Sequence, residues 1–492
     1  MAQTPHYQLF IDGTWCDGSD AQVMTSQNPA TGQDWATFAC ASATDVDTAV
    51  SAARRALSDP KWRDMTQTAR GKLLYRLAEL IEQNATHIGE VETTDSGKLL
   101  AETASQTAYV GDYYRYYAGL ADKIEGAVLP IDKPDLHVFT RAEPIGVVVA
   151  IVPWNAQMFL TATKLGPALA AGCTVVLKAS EIAPAPMLEF ARLIEKAGFP
   201  RGVVSVITGD AENCAIPLTR HPDVDRIAFT GGPETARHVV RNSAENFAVT
   251  TLELGGKSPI LVFDDADLDG AANGLIAGNF GASGQSCVAG SRGLVHRSVL
   301  NDLINRIRDK MADVAIGDPL SSETHIGPLC TDAQVRNIEA TLEKARQQGA
   351  TIHMGGHRVD RPGNFFAPTL VECATRDTET LDIEMFGPVM SLLPFETEDQ
   401  AIALANDSPF GLGSGIFTQN LARAHRVSSR LKAGICWINT YRAVSPIAPF
   451  GGYGQSGYGR EAGLTAIQDY TRSKTVWINT SDQPMANPFV MR

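Results

Sequence analysis

Three side chains in this sequence together make a nucleophile, a base and an oxyanion donor. Cys287 lies in Gly281-Ala-Ser-Gly-Gln-Ser-Cys287-Val-Ala-Gly290, a run of small residues whose backbone can bend sharply and come close to a ligand. The alternative is a buried packing thiol, the ordinary state of a free cysteine. Glu253 lies in Thr250-Thr-Leu-Glu253-Leu-Gly-Gly-Lys257, at the end of an apolar run and just before two glycines. A carboxylate there is either solvated at a strand end or held as a base, because burying it unpaired is costly. Asn155 ends Val147-Val-Val-Ala-Ile-Val-Pro-Trp-Asn155. Its amide is a neutral donor suited to an oxyanion, although an Asn after Pro-Trp is also an ordinary turn residue. Thiol, carboxylate and amide at one edge would form the machinery for acyl chemistry.

Two further strand-end features point to a nucleotide. Lys178 and Glu181 leave the run Thr174-Val-Val-Leu-Lys178 three residues apart, placed to hold a ribose diol or to form a surface ion pair. Phe229-Thr-Gly231-Gly232-Pro-Glu-Thr-Ala236 reads as a strand-to-helix turn whose free N–H groups suit a phosphate. Other glycine patterns fail. Gly452-Tyr-Gly-Gln-Ser-Gly457 matches GxGxxG, but no apolar strand precedes it and no helix of apolar period opens on it, so a glycine-rich surface turn is expected. Gly256-Lys-Ser258 lacks the first glycine of a phosphate loop, since position 251 is Thr. GxSxG and HExxH are absent, and the 8 cysteines contain no CxxC pair, so no metal site is expected.

The elements that must position these residues alternate between strand and helix. Apolar runs at 145–152, 174–178, 203–207, 226–230 and 248–252 form one set, and runs at 259–263, 293–296, 391–395 and 414–417 a second. Helical periodicity separates them at Leu73, Leu77, Leu80 and Ile81, and again at Met187, Phe190, Ala191 and Ile194 up to Gly198. This spacing predicts an α/β chain of two doubly wound parallel-sheet lobes that meet near Gly255-Gly256. The strand-like run Thr475-Val-Trp-Ile-Asn479 fits neither lobe and is expected to pair with another subunit.

Composition removes other function classes. The 492 residues are 44% hydrophobic and 20% charged, as in a folded globular chain of about three lobes. The net charge of -13, from 42 basic and 55 acidic residues, argues against nucleic acid and anionic membranes as partners. No apolar run approaches the ~20 residues that span a bilayer, and the polar N-terminus lacks the pattern of a signal peptide. A cytoplasmic location with reduced thiols is expected.

At these motifs the sequence resembles the aldehyde dehydrogenase superfamily of the NAD(P)-dependent, hydrolytic type, nearly from end to end. The resemblance is carried in order by Pro153-Trp154-Asn155, Lys164-Leu-Gly-Pro-Ala-Leu-Ala-Ala-Gly172, Lys178-Ala-Ser-Glu181, Phe229-Thr-Gly231, Leu252-Glu-Leu-Gly-Gly-Lys257, Gly284-Gln-Ser-Cys287, Glu384-Met-Phe386-Gly-Pro-Val389 and Pro449-Phe-Gly-Gly452. It implies a cofactor-binding domain at 1–121 and 144–254, a catalytic domain at 255–456, and a small bridging β oligomerisation region at 122–143 and 469–492 that assembles homodimers or homotetramers. It further implies Cys287 as nucleophile, Glu253 as general base, Asn155 as oxyanion donor and Lys164 as a lysine near the active site. Trp154, Lys178, Glu181, Gly231, Gly232, Glu384 and Phe386 would bind the cofactor. Gly232 departs from the family, which usually has Ser there, so that phosphate contact falls to backbone or water.

The resemblance predicts oxidation of a small-molecule aldehyde to its acid, with NAD favoured over NADP because the Glu181 carboxylate repels a 2′-phosphate. Tyr109, Ala156, Thr163, Val444 and Phe450 would line the substrate tunnel, and Arg442 or Gln157 would hold an oxygenated or anionic group on the aldehyde. Two rival readings are a cofactor-free thioesterase or esterase built on Cys287 and Glu253, which leaves Lys178, Glu181 and Glu384 idle, and a non-catalytic structural protein on the same scaffold.

Overall fold

In the computed structural model, which describes residues 4–485 and 487–490, both sets of apolar runs become sheets. The first has eight strands. Its parallel centre holds Val249–Leu254, Arg226–Gly231, Val147–Ile151, Thr174–Lys178 and Val204–Ile207, in that spatial order. These strands are mostly apolar because helices cover both faces. Val148, Ala150, Val175 and Leu177 enter one core, while Val147, Val149, Ile151 and Val176 enter the opposite one. Alternate side chains of one strand therefore serve two layers.

The edges depart from the all-parallel expectation. Leu9–Ile11 pairs antiparallel with Val204–Ile207 and carries Thr14–Cys16 outside it. Gly457–Tyr458 pairs antiparallel with the strand that ends at Glu253 and Leu254. The second sheet has seven strands and is parallel except for its edge strand Thr351–Met354. Both sheets are mixed and mostly parallel. A three-stranded sheet of His6–Tyr7, Gln33–Ala39 and Val23–Asn28 was not expected, since its strands are short and largely polar.

Thr471–Asn479 forms the late strand, longer than expected, and on one edge it pairs antiparallel with Leu136–Pro144 of its own chain, leaving its other edge open. Trp477 and Ile478 on it are exposed. Of the expected bridging and terminal residues, 1–3, 486 and 491–492 lie outside the described residues. The 452–457 segment also differs from expectation. Ser456 is fully buried, donating to the Gly255 carbonyl at 2.7 Å and accepting from the Gly411 N–H at 3.0 Å. This stretch bridges the two sheets through Ser456 while Tyr453, Gly454 and Gln455 stay exposed, so only part of it is a surface turn.

Strand order sets the site. In the first sheet the chain moves outward in one direction from Val147–Ile151 and in the other from Arg226–Gly231, so the switch in direction falls between these neighbours. A crevice opens beyond the carboxyl ends of strands at such a point. Pro153-Trp154-Asn155 follows one of these strands and Gly232 the other.

Candidate active site

Two cavities meet at Cys287. One, of about 390 Å³, is lined by Tyr109, Phe159, Arg442, Val444 and Phe450. The other, of about 330 Å³, is lined by Trp154, Gly231, Gly232, Glu253, Glu384 and Phe386. Cys287 and Asn155 belong to both walls. The sequence placed Cys287, Glu253 and Asn155 at one sheet edge. Glu253 and Asn155 do come from the carboxyl ends of the first sheet, but Cys287 precedes strand Arg292–His296 and Glu384 precedes Val389–Phe395. The carboxyl edge of one sheet thus faces the amino edge of the other, with the thiol on the dividing wall.

The electrostatics are those of a dry site. Burial, reinforced by the charges of Glu384 and Glu253, pushes the Cys287 thiol up to about 12. Glu253 is 2% exposed and neither carboxylate oxygen has a hydrogen-bond partner. Burial and then the negative charge of Glu461 hold its pKa well above the usual carboxylate range, against the pull of Lys164 and Arg460. Lys164 is fully buried; its Nζ donates to Glu461 Oε1 at 2.5 Å and to Thr230 Oγ1 at 2.6 Å. Burial raises Glu384 to about 7, while the Gly256 N–H donates to its Oε1 at 3.0 Å. Asn155 Nδ2 donates to the Gln285 carbonyl at 3.1 Å, which fixes the amide beside the cysteine loop.

The second cavity fits a dinucleotide. Helix Pro233–Ser243 has no side-chain cap, so its first N–H groups are free beside Gly231 and Gly232. Lys178 and Glu181 do not line this cavity; they pair with each other, Lys178 Nζ donating to Glu181 Oε2 at 2.5 Å. Trp154 and Phe386 meet edge to face with ring centroids 5.6 Å apart.

Two expected site residues are placed differently. Gln157 is fully buried, with Nε2 turned back to the Trp154 carbonyl at 3.4 Å, and it does not line the substrate cavity. Thr163 is likewise buried; its hydroxyl donates to Glu461 Oε2 at 2.7 Å and not toward a substrate. Both lie on Gln157–Ala171, a helix buried all round, so only part of its surface can face the cavity. Lys164 opens on neither cavity and acts only through its neighbours. Glu461 was missed, as was Gln285, whose Oε1 accepts the Cys330 N–H at 2.8 Å. Nothing local marks Glu461, whereas Gln285 lies inside the Gly284-Gln-Ser-Cys287 motif.

Among the described residues no cluster of three or more His, Cys, Asp or Glu could hold a metal, and no helix is long and apolar enough to cross a membrane. A profile of the aldehyde dehydrogenase family matches residues 15–476. The chain is 54% identical over 487 residues to (Z)-2-((N-methylformamido)methylene)-5-hydroxybutyrolactone dehydrogenase of Acinetobacter baylyi, covering 99% of each. Among solved structures, an aldehyde dehydrogenase from Bacillus cereus in complex with NAD+ shares 39% identity, with a TM-score of 0.94 over 97% of each chain. A point variant of betaine aldehyde dehydrogenase from Staphylococcus aureus, in complex with NAD+, shares 36% identity, with a TM-score of 0.95 over 99% of this chain and 98% of that one. The chain belongs to the aldehyde dehydrogenase family.

Proposed function

We propose that the protein oxidises an aldehyde to its carboxylic acid with NAD, through a covalent Cys287 intermediate that is hydrolysed with Glu253 as base. The observation that carries this reading is the position of Cys287 on the wall shared by both cavities. Cys287 first gives its thiol proton up to solvent, and the thiolate sulfur attacks the carbonyl carbon from the aldehyde side. The carbonyl oxygen becomes an oxyanion, held by the Asn155 amide and the Cys287 N–H, a contribution of about 3–4 kcal/mol in comparable sites. Bound NAD supplies the hydride acceptor. Loss of hydride from the thiohemiacetal leaves a thioester on Cys287. Glu253 then takes a proton from water, whose oxygen attacks the thioester carbon, and the acid leaves as sulfur regains its electron pair. Trp154, Phe386 and Glu384 would hold the nicotinamide end, and Lys178 with Glu181 the adenosine ribose. The Glu181 carboxylate favours NAD over NADP.

Arg442, at the wall of the aldehyde cavity, supports a substrate with an oxygenated or anionic group. The Acinetobacter relative is named for a 5-hydroxybutyrolactone. Such a ring is the closed form of an aldehyde that also carries a carboxylate. The exposed Trp477 and Ile478 on a strand with a partner on one side only favour self-association as a homodimer or homotetramer. The eight free cysteines accord with a cytoplasmic site of action. Glu253→Gln tests the mechanism: a burst of one NADH per site should be followed by a steady rate lower by about 10²–10⁴-fold. An unaltered steady rate would remove Glu253 from the reaction.

A further inference from the structure

The turn that delivers Cys287 is held in an unfavourable conformation. Between helix Leu268–Phe280 and the nucleophile, Ala282, Ser283 and Gly284 follow one another in the left-handed region, with φ of 53°, 53° and 75°. Glycine tolerates this, but alanine and serine adopt it at a steric cost. Such a run persists only where contacts from outside hold it. Ser283 Oγ donates to the Gly327 carbonyl at 2.9 Å. Gly284 presses so closely on Gly387 that a Cβ would lie 2.1 Å from that carbonyl oxygen. The N–H of Ala282 donates to Glu102 Oε1 at 2.8 Å.

The third contact differs in origin from the other two. Glu102 lies in the first turn of helix Leu100–Leu120, which packs on helices Gln67–Gln83 and Gln157–Ala171 of the first lobe. The start of that helix is docked on the second lobe by the Leu100 N–H, which donates to the Pro319 carbonyl at 2.9 Å. On the other side of the turn, Arg442 Nη1 sits 2.2 Å from where a Cβ on Gly281 would lie, and it donates to the Ala277 carbonyl at 3.1 Å. Glu102 Oε2 is buried with no partner. A buried carboxylate oxygen left unpartnered is costly, and the bond to the Ala282 N–H is what the side chain gains here.

We propose that Glu102 is a positioning residue for Cys287. It restrains the left-handed turn from the opposite lobe, so docking of the lobes sets where the sulfur lies. This rests on Cys287 being the nucleophile. The test uses the full chain and two readouts: the rate at which iodoacetamide alkylates Cys287 without NAD or aldehyde, and kcat with KM for NAD. Glu102→Ala should slow both alkylation and kcat about 10- to 100-fold, the factor expected for one lost buried hydrogen bond, while KM for NAD stays within about twofold. Glu102→Gln keeps an acceptor oxygen and should stay within about threefold of the unmodified protein. Adding Ala282→Gly to Glu102→Ala should recover much of the loss, since glycine is at ease at this φ. Alkylation of Glu102→Ala at the unmodified rate, or Gln no better than Ala, would overturn the proposal. Should Glu102→Ala not fold, Glu102→Asp, one methylene too short to reach, takes its place against Gln. If alkylating Cys287 in the unmodified protein leaves NADH formation intact, the nucleophile assignment fails instead.

Discussion

The two cavities that meet at Cys287 are built from different materials. The cofactor side is made largely of strand ends and the turns after them: Gly231, Gly232, Glu253, Leu254 and Gly255 follow or end the strands that carry them, while Trp154, Glu384 and Phe386 add side chains. The aldehyde side is made of side chains from distant segments. Glu102, Ser105, Gln106 and Tyr109 share one face of helix Leu100–Leu120, and Arg442, Val444 and Phe450 come from a late loop. A wall of backbone admits few residue types, because its shape depends on main-chain geometry. A wall of side chains can change composition without disturbing the sheet behind it. The first should serve every substrate alike, and the second should discriminate among them.

This contrast can be broken at three levels. Cys287→Ala removes the group common to both walls. Aldehyde oxidation should fall by at least about four orders of magnitude, with NAD still quenching tryptophan fluorescence and thermal stability retained. Residual turnover near the original level would take sulfur out of the chemistry. Glu461→Gln acts behind the cofactor wall. The negative charge of Glu461 raises the Glu253 pKa, so its removal should let Glu253 ionise at lower pH. The acid limb of the kcat–pH profile should then move down by about one pH unit. An unmoved or rising limb would deny the coupling. The smallest effect belongs to the aldehyde wall. Arg442→Ala should raise KM about tenfold for aldehydes carrying a carboxylate and leave neutral aldehydes nearly unchanged. Equal effects on both would leave Arg442 as a loop residue only.

The same contrast explains what could be read in advance. Every residue foreseen on the cofactor wall sits within a short motif, because a strand end and the turn after it are contiguous in sequence. Glu461 belongs to no such motif. It meets Lys164 across 297 positions, and its own surroundings, Gly459-Arg-Glu461, look like a polar turn. The resemblance puts Thr163 on the tunnel and gives Gln157 a substrate group to hold. Composition alone does not tell which face of an all-buried helix turns toward the cavity. The Gly452–Gly457 stretch looked like surface because the groups that bury Ser456 are supplied by Gly255 and Gly411. Gly457–Tyr458 is too short to show any period, yet it closes a sheet edge.

That short closing strand has a consequence for how the protein is made. The strand ending in Glu253 is flanked on its outer side by Gly457–Tyr458, which leave the ribosome only after the whole second sheet has been translated. The first half of the nascent chain therefore cannot finish its own sheet. Glu253 gains its outer neighbour only when nearly the whole chain has been made, long after the strand that bears it.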